Sequence, residues 1–156
     1  MIKRIHIYDM DGTLVDSSHR YRTMPCGTRI DLQYWIDNEC LTMGDSLLPQ
    51  VDAFRDQVES DEDYVIIATA RIWCDLSEQF ALENDLNPQI VFARRDRHDT
   101  RGGAELKIQG VRKLLNLKQF QGVTEIHVYE DNVSYLKTIC DHFNATGHYF
   151  PSKQGH

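Results

Sequence analysis

Short β-prone runs alternate with amphipathic stretches along this chain, and that alternation constrains the fold more than any other feature. Strands are expected at 3–9, 64–69, 89–93 and 124–130, with a last short one near 145–150. Between them apolar residues recur at helical spacing. Val51, Phe54 and Val58 share a face of 49–59, and Leu76 and Phe80 lie four apart in 73–84. Val111, Leu114, Leu115 and Leu117 mark 104–117, and Val133, Leu136, Ile139, Cys140 and Phe143 mark 132–143. Strand–helix alternation argues for an α/β fold, a parallel sheet with helices on both faces. Such sheets bind ligands beyond the carboxyl ends of their strands. Asp9, Thr69 and the pair Glu130-Asp131 all fall at expected carboxyl ends.

The first of these ends carries the densest chemistry. The run Ile5 to Tyr8 delivers Asp9 and Asp11 with one residue between them, and Gly12 and Thr13 follow at once. Strand residues alternate faces, so an Asp-x-Asp pair leaving a strand can aim both carboxylates at one spot. Gly12 permits a sharp turn there. Two crowded carboxylates repel, and a bound cation or a shared proton in acid/base chemistry would justify them. A surface turn rich in Asp and Gly is the plain alternative.

At 156 residues, the chain is long enough for one domain with one sizeable core, taken as 1–156. No apolar run approaches the ~20 residues that span a bilayer, so no membrane partner is expected. The N-terminus enters a strand directly, which predicts no signal peptide. Cys26, Cys40, Cys74 and Cys140 are widely spaced and form no zinc pattern, so reduced thiols and a cytoplasmic location are expected. The net charge of −7 weighs against a grip on long nucleic acid, which calls for a basic footprint. Two local basic clusters stand out instead: His19-Arg20-Tyr21-Arg22, and the Arg-rich segment 94–101. Either can be a solvated face or part of a site.

Asp9-Met10-Asp11-Gly12-Thr13 resembles the first motif of the haloacid dehalogenase-like phosphohydrolases, Asp-x-Asp-Gly-Thr. That family's three later motifs find counterparts here in the same order. Thr69 ends the hydrophobic strand Val65-Ile66-Ile67-Ala68, Lys107 starts a helix, and Glu130-Asp131 closes the strand from Ile126. The resemblance covers essentially the whole chain. It implies a three-layer Rossmann-like fold and a phosphatase activity dependent on Mg²⁺, although an oxygen site of this kind also accepts Mn²⁺ and the sequence does not choose between them. It also implies that the insert at about 17–48 is a small cap, open to a bulky substrate such as a nucleotide or a polynucleotide end. A packing elaboration is the alternative for that insert, within which a short helix is expected at 31–41.

The resemblance also assigns roles. Asp9 would be the nucleophile, forming an aspartyl-phosphate. Asp11 would protonate the leaving oxygen and then activate water, its backbone carbonyl serving the metal. Asp9 and Asp131 would be the metal carboxylates, with Glu130 a less direct ligand. Thr69 and Lys107 would bind phosphoryl oxygens. An acidic pair satisfying the helix N-terminus is the alternative for Glu130-Asp131. His6 and His127 are read as structural.

Arg95, Asp99-Thr100-Arg101 and Lys107 more narrowly resemble the phosphatase domain of phage polynucleotide kinase/phosphatase enzymes, as does Thr69-Ala70-Arg71 beside that domain's Ser-Gly-Arg. On that pattern Arg71 and Arg95 would hold the substrate, Asp99 would orient one of them, and Arg22 and Ala70 would join the substrate site. The implied substrate is a phosphomonoester, a nucleotide or a nucleic acid 3′ end, with no obligate protein partner evident. Two departures are visible: Gly103 stands where that domain has an Asp, and Glu130 replaces the first Asp of its acidic pair. A generic metabolite or 5′-nucleotide phosphatase and a non-catalytic binding domain remain the competing readings.

Overall fold

The computed structural model describes residues 1–27 and 29–152. The strands are β1 (Arg4–Tyr8), β2 (Val15–Asp16), β3 (Ser46–Leu47), β4 (Asp63–Ile72), β5 (Ile90–Arg94), β6 (Glu125–Glu130) and β7 (Thr146–Tyr149). The α-helices are α1 (Leu32–Asp37), α2 (Val51–Val58), α3 (Asp75–Glu83), α4 (Gly103–Leu115) and α5 (Val133–Phe143). Five strands form one parallel sheet in the order β5-β4-β1-β6-β7. Strand β1 is central, and the chain leaves it first towards β4 and later towards β6. The crevice at that reversal lies beyond the carboxyl ends of β1, β4 and β6.

Alternation along β1 explains the two apolar layers. Ile5 and Ile7 face a core shared with Ile66, Val111, Val128 and Ile139, so α4 and α5 cover that side. Tyr8 faces the opposite core, with Phe54, Ile67 and Phe80 from β4, α2 and α3. The expected three layers and parallel sheet are therefore present. His6 lies on the second side, buried between Asp63 (2.7 Å) and the Tyr129 hydroxyl (2.9 Å). His127 stacks against it with ring centres 5.1 Å apart.

Two elements depart from expectation. Strand β4 does not stop at residue 69 but runs to Ile72, and its register with β5 shifts between Ala68 and Ile72. Such an irregularity re-aims side chains at a sheet rim. The expected helix 31–41 is broken: α1 ends at Asp37, and a 3₁₀ segment, Glu39–Gly44, follows. Asn38 is the stop, because its side-chain amide bonds back to the Tyr34 carbonyl at 2.7 Å. The insert is clasped at its base by β2 pairing antiparallel with β3.

Candidate active site

Asp9 is the first residue beyond β1, and its backbone N–H bonds the Tyr129 carbonyl at 3.0 Å. Lys107, one turn into α4, donates to Asp9 at 2.9 Å and to Glu130 at 2.6 Å. Asp131 completes the group. One carboxylate oxygen from each of Asp9, Glu130 and Asp131 lies within 4.8 Å of the others, and all three residues are buried. Three carboxylates here face one ammonium. Burial, and then the charge of Asp9, raises Glu130 well above the carboxylate range and lifts Asp131 to about 7. Burial works to lower Lys107, but Asp9 and Glu130 outweigh it and its pKa rises. An all-oxygen, electron-rich donor set short of positive charge fits a hard divalent cation.

Gly12 makes this cluster possible. Its φ is +84°, and a Cβ there would stand 2.1 Å from Asp131 Oδ2. Ser152 donates to the same oxygen at 2.6 Å. Gly103 is shaped by a similar contact. A Cβ at that position would meet the Tyr135 ring at 2.5 Å, so an acidic side chain there would have to displace the ring. That ring in turn lies 5.8 Å from the Lys107 ammonium.

Asp11 belongs to a different cluster. Its carboxylate does not face the other three but pairs with Arg71 through both Nε and Nη2. Arg71 also donates to Thr42 Oγ1 at 3.0 Å and to Asp45 at 3.3 Å. Asp45 further takes both Nε (2.9 Å) and Nη2 (3.0 Å) of Arg20. Arg20 approaches Asp11 to 3.5 Å and stacks on the Trp35 ring at 4.1 Å. Ser17 donates to Asp11 at 2.8 Å. Burial tends to raise the Asp11 pKa, but Arg71, Arg20 and Ser17 outweigh it and the carboxyl is lowered. Arg71 is thus occupied by protein carboxylates, whereas the sequence pattern points it at substrate.

Thr69 is buried in the irregular part of β4, where its hydroxyl accepts from the Arg71 N–H at 3.1 Å. Thr69, Ala70, Lys107 and the acidic cluster lie at the floor of a cleft of about 760 Å³. Its upper wall comes from the insert, through Tyr21, Met24, Ile30, Leu32 and Trp35, with Tyr135 opposite.

Several expected substrate residues lie elsewhere. Arg95 is three-quarters exposed, pairs with Asp96, and does not line the cleft. Arg94 lines it instead. Its guanidinium braces the rim through the carbonyls of Ala70 (2.8 Å), Asp99 (2.6 Å) and Arg101 (2.8 Å). Asp99 does orient an arginine, but it is Arg101, at 2.6 and 2.9 Å. Arg22 is exposed, pairs with Asp31 at 2.6 Å and stacks on Tyr34. Arg20, Thr42, Asp45 and Arg94 escaped sequence reasoning. Arg20 and Arg94 left a trace, inside the basic clusters 19–22 and 94–101, and Thr42 and Asp45 left none.

A five-stranded parallel sheet with an acidic carboxyl-end crevice and a small insert after the first strand defines a haloacid dehalogenase-like fold. Solved structures agree. The chain matches the Pnkp1/Rnl/Hen1 complex with TM-score 0.67 and 15% identity, covering 98% of this chain and 47% of that one. It matches the HAD domain of effector protein Lem4 from Legionella pneumophila with TM-score 0.63 and 11% identity, covering 99% and 88%. A hydrolase from Streptococcus pneumoniae TIGR4 gives TM-score 0.57 and 12% identity, over 98% and 95%. At these identities the likeness is one of fold.

Residues 1–145 match the family described as Bacteriophage T5 5′-deoxynucleotidase, and the chain belongs to that family. The 5′-deoxynucleotidase of Escherichia phage T5 is 36% identical over 77 residues. That match takes in 46% of this chain and 31% of the relative's length.

Proposed function

We propose that this protein is a divalent-metal-dependent phosphomonoesterase acting on nucleotides through a phosphoryl group carried on Asp9. The observation that carries the reading is the meeting of Asp9, Lys107, Glu130 and Asp131 at the floor of one cleft. Asp9, Asp131 and more distantly Glu130 would hold Mg²⁺, together with the Asp11 carbonyl. When bound, the ion supplies positive charge that offsets the phosphoryl oxygens.

Lys107 holds the Asp9 carboxylate in place and offers its ammonium to the same oxygens. Asp9 attacks phosphorus in line, and the ester P–O bond breaks as the new P–O bond forms. Thr69 donates its hydroxyl to a phosphoryl oxygen. Asp11 delivers a proton to the departing oxygen and then takes one from the water that hydrolyses the acyl phosphate. For the first of these tasks its pairing with Arg71 has to loosen.

Family membership and the apolar, aromatic upper wall favour a nucleoside 5′-monophosphate, whose base needs such a surface. A 3′-phosphate at a nucleic acid end is the second reading, favoured by Arg94, which lines the cleft. Phosphate release is to be measured on deoxynucleoside 5′-monophosphates, 3′-phosphorylated oligonucleotides and sugar phosphates, with Mg²⁺ and with EDTA. Mg²⁺-dependent release from one nucleotide class, abolished in Asp9→Asn, is the expected result. Release that ignores both EDTA and Asp9→Asn sinks the reading.

A further inference from the structure

We infer that Asp45, in the insert, is a positioning residue for Asp11, acting through Arg20 and Arg71. This rests on the proton-transfer role of Asp11 proposed above. Asp45 touches neither Asp11 nor the cleft floor. Its carboxylate is fully buried and takes two N–H donors from Arg20 (2.9 and 3.0 Å), one from Arg71 (3.3 Å) and the ring of His19 (2.8 Å). It also accepts from the Thr42 hydroxyl at 3.1 Å. Arg71 then gives Asp11 its Nε and shares Nη2 between Asp11 and Asp45, while Arg20 Nη2, bonded to Asp45, stands 3.5 Å from Asp11.

A guanidinium is planar, so two fixed donors set the direction of the others. Asp45 and Thr42 thereby aim Arg71, and Arg71 aims the Asp11 carboxylate by a two-point pair. All of the intermediaries are buried, so the insert reaches Asp11 through bonded groups that hold the carboxylate in place until its pairing with Arg71 loosens. The clasp between β2 and β3 adds a second tie, because Asp45 immediately precedes β3 and Ser17 immediately follows β2. The insert and the reactive loop form one unit around Asp11.

The test uses two esters that differ in their need for a proton. A deoxynucleoside 5′-monophosphate has a poor leaving group, whereas p-nitrophenyl phosphate releases an alcohol that departs unaided. First-turnover release with Mg²⁺ isolates ester cleavage from later hydrolysis. Asp11→Asn and Asp45→Asn are both expected to slow the nucleotide by about 100-fold, and the aryl ester by less than about threefold. Thr42→Val removes one aim point only and keeps the buried charges balanced. It guards against loss of folding in Asp45→Asn, and should slow the nucleotide alone by about fivefold.

If Asp11→Asn discriminates between the esters while Asp45→Asn and Thr42→Val slow both equally or neither, the positioning role is wrong and the proton-transfer role stands. If Asp11→Asn itself does not discriminate, both fall together.

Discussion

Two buried charge clusters sit side by side in this protein, and they are built on opposite principles. The cleft floor sets Asp9, Glu130 and Asp131 against Lys107 alone. The neighbouring cluster sets Asp11 and Asp45 against Arg20 and Arg71. The second is balanced and every member is bonded, so it serves as framework. The first carries an excess of acid, and burial, then the charge of Asp9, raises two of its carboxyls. Folding tolerates such an excess where a cation supplies the missing charge. The difference separates a cluster with unbalanced charge from one whose charges pair, although both look like clustered Asp and basic residues.

The largest effect should come from the floor. Asp9→Asn removes the attacking oxygen and should cut turnover by at least about 10⁴-fold, read as phosphate release. Lys107→Met leaves the three carboxylates with no protein cation. It should lower turnover by about 10³-fold, and Mg²⁺ should raise its melting temperature more than that of wild type.

Stability should divide the two clusters next. Arg20→Met takes from buried Asp45 its two-point partner, leaving only Arg71, His19 and Thr42, and should cost about 3 kcal/mol in denaturant unfolding. Asp131→Asn removes an uncompensated charge instead. Without metal, at a pH above 7, it should leave the protein as stable as wild type or more so.

The pH responses should also oppose each other. Asp131 titrates at about 7 in the folded chain, above its ordinary value. The stability it contributes is full below the ordinary carboxylate range and is lost as pH rises through about 7. Asp11 is lowered, so its contribution is present above the ordinary range and is lost as pH falls below it. Melting in EDTA should therefore weaken towards neutral pH through the floor and in acid through the balanced cluster, with Mg²⁺ rescuing only the former. The smallest effect belongs to Arg95→Ala, less than about twofold on turnover, because that exposed side chain stands outside both clusters.

Which of these clusters was legible in the sequence follows from how each is assembled. Asp9, Glu130 and Asp131 are placed by strand ends, and Thr69 by the irregular stretch near the end of β4, and a parallel sheet gathers its carboxyl ends whatever the loops do. Their neighbourhood could be read from periodicity before any contact was known. Arg20, Asp45 and Thr42 come from an insert with weak periodicity, and their meeting with Arg71 depends on the β2–β3 clasp, two residues long on each side. No spacing announces that. The placement of Arg94 rather than Arg95 in the cleft turns on a single residue of register beside an irregular strand, and composition carries no trace of it. Asn38 hid the break in the expected helix 31–41 for a related reason, since its amide competes with the backbone only once a helix has formed.

The contact between Gly103 and the Tyr135 ring ties two distant positions into a single evolutionary choice. A relative that carries an acid at 103 has to surrender the ring at 135 or swing it away, and with it the aromatic shield beside Lys107. The two positions should change together among descendants of this fold, and a chain bearing both large side chains should be rare.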